Sequence, residues 1–230
     1  MNTGDYAAEV LRYFNQGTGL FLESVKESLE LRTRALDYPC EVTSLGVCGD
    51  SVYTGLASGE VLVTGFESGN SRGFELLAEN TEFKVLEAPD SDELLFGGAT
   101  NGLIVVWNLK SLKVQTKLAG HSQEVTCLEC KGKSLFSASK DSQICVWNTT
   151  TMDLEYILAE SPIQVECLVV NSNLVFGGYF DGVIRVWNTD KKEVLAYLEG
   201  HEQAVKALAL VSPKELVSGG ADRTILVWNL

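Results

Sequence analysis

The chain has 230 residues, of which 45% are hydrophobic and 21% are charged, a composition typical of a folded globular protein and not of a disordered one. Its 31 acidic and 18 basic residues give a net charge of −13, which opposes direct binding to nucleic acid or to anionic lipid. Because no apolar run reaches the roughly 20 residues of a membrane helix, we expect no membrane insertion.

The first 34 residues are predicted to form a separate N-terminal segment that is helical in part. Ala7, Val10, Leu11 and Phe14 have the spacing of an amphipathic helix. The stretch around 29–36 also alternates like a strand and could supply the closing strand of the fold that follows. Because the chain starts without the basic and apolar regions of a signal peptide, we expect a cytoplasmic or nuclear protein.

From residue 35 onward the chain consists of repeats. The four tryptophans are residues 107, 147, 187 and 228, and each is followed by asparagine. A fifth, weaker copy lies at 51–65 and has Thr64 and Gly65 in place of the Trp-Asn pair. Each copy contains short runs of alternating apolar residues separated by turn sequences, which predicts antiparallel hairpins. We therefore expect four strands in each repeat of about 40 residues.

These repeats resemble the WD-repeat β-propeller family. The resemblance covers residues 35–230 and depends on the Gly-His pairs at 120–121 and 200–201, the aspartate six residues before tryptophan, and the tryptophan itself. It implies an all-β propeller with five recognisable four-stranded repeats, although Trp-Asn replaces the family's Trp-Asp. Five repeats are fewer than is usual for the family. Three alternatives remain open: a closed five-bladed disk, an open disk completed by a partner, and a shortened gene product. Self-association at the open edge is a further possible form of completion.

Two repeats contain a serine, a histidine and an aspartate that could be interpreted as a hydrolase triad. Instead, the resemblance implies a structural hydrogen-bond chain from tryptophan through serine and histidine to aspartate. The two sets are His121, Ser137, Asp141 and Trp147, and His201, Ser218, Asp222 and Trp228. The Trp187 repeat has Gly177 where the others have serine, and the first repeat retains only Thr54 of the set. We expect those repeats to be held mainly by packing.

Cys127 and Cys130 have the spacing of a zinc or redox pair. However, residues i and i+3 of a strand point to opposite faces, so one metal ion could not readily bind both. Cys127 also aligns with small residues of the other repeats, which favours a packing role. We expect no metal and no cofactor.

The family resemblance places partner contacts on one loop face of the propeller. The positions that it implies are Ser58, Thr100, Lys140, Phe180 and Ala221, together with Glu41, Glu82, Glu124, Gln164 and Ala204. We single out Lys140, Tyr179 and Phe180, with Glu124 and Gln164 beside them, because two aromatic residues replace small or polar ones.

The predicted function is a non-catalytic scaffold that binds other proteins within a larger complex, with a preference for partners with basic surfaces. A substrate adaptor of a ubiquitin ligase is a narrower alternative, but the Trp-Asp-x-Arg signature of such adaptors is absent from the repeats. A serine hydrolase is the alternative from another functional class.

Overall fold

The computed structural model describes residue 38 and residues 40–65, 71–74, 81–89, 93–159 and 162–230. These residues form five antiparallel sheets that follow one another along the chain. The predicted N-terminal helix and the possible closing strand at 29–36 both lie outside the described residues. No helix in the described part of the chain is long and apolar enough to cross a membrane.

Each of the first four sheets has four strands, as the repeats predicted. The first sheet contains β1 (Val42–Cys48), β2 (Ser51–Leu56), β3 (Val61–Gly65) and β4 (Ser71–Gly73). The second contains β5 (Phe83–Glu87), β6 (Leu94–Ala99), β7 (Ile104–Asn108) and β8 (Lys113–Leu118). The third contains β9 (Val125–Lys131), β10 (Ser134–Ser139), β11 (Ile144–Asn148) and β12 (Leu154–Leu158). The fourth contains β13 (Val165–Asn171), β14 (Leu174–Tyr179), β15 (Ile184–Asn188) and β16 (Glu193–Leu198). The fifth contains β17 (Val205–Ser212), β18 (Glu215–Gly220) and β19 (Ile225–Asn229).

Tight turns connect the second and third strands of every sheet, and the same turn position has a positive φ in all five. Three of these residues are glycines, including Gly102 at 86° and Gly182 at 84°, whereas Ser142 and Arg223 occupy the position at 76° and 69°. A Cβ atom on Gly182 would lie 2.5 Å from the carbonyl oxygen of His201. Glycine therefore meets both a conformational and a steric requirement at this position.

The core lies between the sheets. The first strands β1, β5, β9, β13 and β17 pack against one another in chain order. In each interface, residues of the second and third strands of one sheet contact the tryptophan face of the next. Phe136, Ile144 and Val146 of the third sheet, for example, pack with Val175 and Trp187 of the fourth. Each sheet buries one face against its neighbour, so the stability of a sheet depends on the sheets that pack beside it.

The fifth sheet has three strands among the described residues, in the order β17, β18, β19. Ile225 and Val227 on β19 are 48% and 67% exposed, whereas the equivalent Ile184 and Val186 on β15 are 0% and 4% exposed. Within the described ranges, β19 therefore presents both an uncovered apolar face and an open strand edge.

Candidate functional site

The structure joins the four predicted side chains of the third sheet into one hydrogen-bonded chain. The indole Nε1 of Trp147 donates to Ser137 Oγ at 2.8 Å. His121 Nε2 lies 2.8 Å from the same oxygen, and His121 Nδ1 lies 2.9 Å from Asp141 Oδ2. Asp141 also accepts the backbone N–H of Ser122 at 2.9 Å, which ties the carboxylate to the segment just before β9.

The fifth sheet repeats this arrangement. Trp228 Nε1 donates to Ser218 Oγ at 2.8 Å, and His201 Nε2 lies 2.7 Å from that oxygen. His201 Nδ1 lies 2.9 Å from Asp222 Oδ2. In this sheet the hydroxyl group of Thr224 also lies 3.0 Å from His201 Nδ1.

The protons in this chain can be placed by matching donors with acceptors. When His121 Nδ1–H donates to the Asp141 carboxylate, Nε2 is left as an acceptor for the Ser137 hydroxyl proton. Ser137 Oγ then accepts the indole N–H while it donates to histidine. Ser137 is fully buried. The serine oxygen is therefore saturated and shielded, in contrast with a hydrolase nucleophile, which must reach its substrate.

Hydrogen bonding also sets the charge of the aspartate in the fifth sheet. Burial by itself would raise the pKa of Asp222. Hydrogen bonds from the Thr224 amide and hydroxyl, from His201 and from the Glu202 amide more than offset it and hold that pKa well below its usual range. The carboxylate is consequently ionised at neutral pH, where it can accept all of these hydrogen bonds.

In the fourth sheet the structure contains a different polar chain, which the sequence reasoning missed. Trp187 Nε1 donates to the hydroxyl oxygen of Tyr179 at 3.2 Å. The guanidinium carbon of Arg185 lies 4.2 Å from the centre of the Tyr179 ring. Arg185 also forms two hydrogen bonds to Asp181, at 3.2 Å and 2.8 Å. Tyrosine and arginine thus connect tryptophan to aspartate where serine and histidine do so elsewhere.

Gly177 makes this substitution possible. A Cβ atom at residue 177 would lie 2.9 Å from Cε2 of Tyr179. The tyrosine ring therefore occupies space that a serine side chain would need. Burial alone would raise the pKa of Asp181, but the hydrogen bonds and charge of Arg185, with the Val183 amide, hold it below its usual range. A polar chain therefore accompanies the packing that we expected in this sheet.

The first two sheets differ from each other at the same location. In the first sheet, the Tyr38 hydroxyl lies 3.3 Å from Thr54 Oγ1 and 3.5 Å from Thr64 Oγ1, so a tyrosine accompanies the threonine that the sequence had left alone. In the second sheet, Trp107 packs edge-on against Phe83 and Phe74, with ring centres 5.0 Å and 5.9 Å apart. Aromatic packing therefore has a direct role in the second sheet.

The cysteines of the inner strands lie at sheet interfaces. Cys127 Sγ is 3.7 Å from the carbonyl oxygen of Leu168, and Cys167 Sγ is 3.6 Å from that of Val205. Burial raises the pKa of Cys167 well above its ordinary value, so its thiol stays protonated. Among the residues that the structure describes, no group of three or more histidine, cysteine or acidic side chains could hold a metal ion.

The loop face consists of the turns between second and third strands and the residues just before each first strand. One backbone hydrogen bond joins the two sets in every sheet. The pairs are Ala57 with Glu41, Thr100 with Glu82, Lys140 with Glu124, Phe180 with Gln164, and Ala221 with Ala204. Ala57 takes the place predicted for Ser58. Instead, Ser58 accepts the Glu60 amide and so acts like the aspartates of the other turns.

The structure separates the candidate partner contacts. Tyr179 is only 2% exposed, because its ring packs against Arg185 and its hydroxyl oxygen accepts the Trp187 indole N–H. The prediction that Tyr179 is a surface anchor is therefore wrong. Phe180 is 58% exposed. Lys140 Nζ pairs with Glu124 Oε1 at 2.7 Å.

Next to Phe180 lies an ion pair that the sequence did not indicate. Lys206 Nζ lies 2.7 Å from Glu166 Oε2 and 5.8 Å from the centre of the Phe180 ring. Glu166 and Lys206 are 40 positions apart, at equivalent places in neighbouring repeats. In the sequence, only this match to the repeat period indicates that they lie close together.

Two kinds of comparison with known proteins, by sequence pattern and by structure, agree with each other. The sequence pattern of the family described as "WD domain, G-beta repeat" matches residues 112–148 and 192–229. A computationally designed protein, Ika8, is similar in structure, with a TM-score of 0.74 and 30% identity; the match covers 82% of this chain and 58% of that protein. No curated protein sequence matches significantly.

Two natural structures share the fold. A chain of a mitotic checkpoint complex has a TM-score of 0.79 at 23% identity, and the match covers 92% of this chain and 70% of the other. The protein U3-55K has a TM-score of 0.77 at 20% identity, with 85% of this chain and 63% of the other covered. This chain therefore spans about 60–70% of the length of these structures. With its periodic tryptophans, its antiparallel sheets and these matches, the chain contains WD40 repeats and has the fold of WD40-repeat β-propellers.

Proposed function

We propose that this protein is a non-catalytic scaffold that binds another protein through the loop face around Phe180. The observation that carries the proposal is the 58% exposure of Phe180 at a turn whose equivalents are small or polar. An exposed aromatic ring loses water-accessible apolar surface when a partner covers it, which favours binding. The WD40 fold typically serves as a protein-interaction scaffold.

The backbone that carries Phe180 is already ordered before any partner binds. The Phe180 amide donates to the Gln164 carbonyl at 3.0 Å, and the Gly182 amide donates to the Tyr179 carbonyl at 3.2 Å. The partly buried Arg185–Asp181 pair holds the next residue of the turn. Binding at a preordered turn costs little conformational entropy, which supports Phe180 as an anchor for a partner.

Charge favours a partner with a basic surface. The chain carries a net charge of −13, and Glu41 adds an exposed acidic side chain to the loop face. Lys140 and Lys206 are both paired with glutamates, so they contribute little net positive charge here. Association should therefore weaken as salt concentration rises.

The proposed scaffold is non-catalytic because its two candidate nucleophiles, Ser137 and Ser218, are inaccessible to a substrate. Ser137 and Ser218 are fully buried, and each accepts an indole N–H. A substrate carbonyl could reach neither oxygen without breaking the chain that connects tryptophan to aspartate. The cytoplasm or nucleus remains the proposed location of the scaffold.

The test is quantitative affinity purification from native cells with the wild-type protein and Phe180→Ala. We expect the variant to lose most of a co-purifying protein while its melting temperature stays the same. Val211→Ala is the matched control, because Val211 is 60% exposed on β17 at the opposite loop face. Equal recovery with Phe180→Ala and wild type, or equal loss with Val211→Ala, would contradict this assignment.

A further inference from the structure

A second surface, separate from the loop face, lies on the outer rim of the fourth sheet. The sheet order β13, β14, β15, β16 makes β16 its terminal strand. On the outer edge of a terminal strand, the N–H and C=O groups of alternate residues have no neighbouring strand to pair with. Such an edge can accept one more strand.

The outer strands of three sheets share one geometry but differ in side-chain chemistry. Lys117 on β8, Ile157 on β12 and Tyr197 on β16 all pair with the residue two positions before tryptophan. Each outer strand also has an irregularity opposite tryptophan, which places Gln115 and Leu195 at equivalent positions. The three strands are therefore directly comparable.

On β8 the exposed side chains are those that discourage strand pairing. Lys113, Gln115 and Lys117 are all exposed, and charged residues, above all lysine, prevent an edge strand from pairing with another chain. On β16 the equivalents of Gln115 and Lys117 are Leu195, which is 56% exposed, and Tyr197, which is 49% exposed. The equivalent of Lys113 is Glu193. The lysines that protect the second sheet are therefore missing from the fourth.

The neighbouring sheet extends this apolar rim. Val194 of β16 and Tyr156 of β12 pack against the same core cluster, and Lys192 Nζ lies 4.4 Å from the centre of the Tyr156 ring. The apolar surface thus continues from β16 towards the third sheet, where the side chains of an added strand could pack.

Charge indicates what kind of segment would fit. Glu193 and Glu199 flank Leu195 and Tyr197, and Glu155 is exposed on β12. Lys191 pairs with Glu193 at 3.7 Å and Lys192 stacks on Tyr156, so Glu155 and Glu199 give this rim its acidic character. A second copy of this chain would bring another net charge of −13 to the edge, and the two copies would repel each other.

From this edge, its apolar side chains and its acidic flanks, we propose that β16 binds an extended segment of a partner protein as a fifth strand of the fourth sheet. The segment has apolar residues that alternate with basic ones. Backbone hydrogen bonds to β16 supply part of the affinity, and the apolar side chains pack beside Tyr197 and Leu195. The inference is independent of the proposed role of Phe180.

The probe is a fluorescent peptide of about nine residues in which valine and lysine alternate, with fluorescence anisotropy as the readout. A second peptide with the same side chains carries N-methyl groups along one backbone edge, which remove its edge hydrogen bonds but not its charge. We expect the wild-type protein to bind the methylated peptide at least about tenfold more weakly. Equal affinity for the two peptides would overturn strand addition.

Two protein variants localise the site. The double substitution L195Q/Y197Q keeps the charge unchanged and should weaken binding of the unmodified peptide by about tenfold or more, while Phe180→Ala should leave it unchanged. The reciprocal triple substitution K113E/Q115L/K117Y, which gives β8 the side chains that β16 has at residues 193, 195 and 197, should create a second binding site. If L195Q/Y197Q does not fold, as judged by loss of its β-sheet circular dichroism spectrum, the reciprocal variant still tests whether these side chains bind the peptide.

Three further outcomes would overturn the proposal. The first is unchanged binding by a folded L195Q/Y197Q variant, and the second is the absence of a new site on K113E/Q115L/K117Y. The third is a dimer of the wild-type protein in light scattering that L195Q/Y197Q converts to monomer, because a second copy would then occupy the edge.

Discussion

Replacing Ser137 with alanine tests whether the polar chain in the third sheet is structural. Ser137 is fully buried, and its oxygen accepts the Trp147 indole N–H at 2.8 Å and lies 2.8 Å from His121 Nε2. The alanine variant would leave both nitrogens buried without this partner.

The size of the effect follows from those two groups. A buried polar group without a partner costs about 1–3 kcal/mol, so we expect Ser137→Ala to lower the free energy of unfolding by about 2–4 kcal/mol. For a chain of this length, that corresponds to a decrease in melting temperature of about 4–16 °C. Ser218→Ala makes a matched comparison. Because Trp228 is partly exposed, water can replace the lost serine and the decrease should be smaller.

The assay is thermal and urea unfolding, followed by circular dichroism, of the wild-type protein and both alanine variants. A melting temperature of Ser137→Ala within about 1 °C of wild type would refute the energetic argument, since even one unsatisfied group costs more than that. A fluorophosphonate probe that labels the folded wild-type protein at Ser137 would refute the structural role itself and support the hydrolase alternative.

Three other predictions concern the turns, the aspartates and the N-terminal segment. Gly182→Ala should destabilise the fold by about 1–3 kcal/mol, measured by urea unfolding, because the new Cβ would lie 2.5 Å from the His201 carbonyl oxygen at a φ of 84°. The pKa values of Asp181 and Asp222 are lowered in the folded state, so their contribution to stability is present above the unfolded-state pKa of about 4. It is lost as pH falls towards the folded-state pKa values, and Asp181→Asn/Asp222→Asn should flatten the dependence of melting temperature on pH in that range. Deletion of residues 1–36 should lower stability or cause aggregation if this segment supplies the closing strand; unchanged melting and light scattering would contradict closure.

Period and spacing were sufficient to predict the architecture. The tryptophans at 107, 147, 187 and 228 predicted the last four sheets, and the weaker copy at 51–65 predicted the first. This works because each sheet is built from hairpins close in sequence, so alternation and turn residues determine its strands locally. The structure also contains the two Trp-Ser-His-Asp chains whose members were named from their equal offsets.

Substitutions within the polar chains could not be predicted in the same way. Gly177 appeared to end the chain in its repeat, and Tyr179 appeared to be a surface aromatic. In the folded protein, the absence of a Cβ at residue 177 leaves room for the Tyr179 ring, and Arg185 connects that ring to Asp181.

The sequence by itself therefore determined the repeat, the all-β fold and the positions at which neighbouring turns meet. The tertiary structure decided which of those positions face solvent: Phe180 does and Tyr179 does not, although they are adjacent. It also showed that Leu195 and Tyr197 are exposed on β16, the terminal strand of the fourth sheet among the described residues. The physical reason is that periodicity reports hydrogen bonding within a sheet, whereas exposure depends on contacts between sheets, whose residues lie about one repeat apart in the chain.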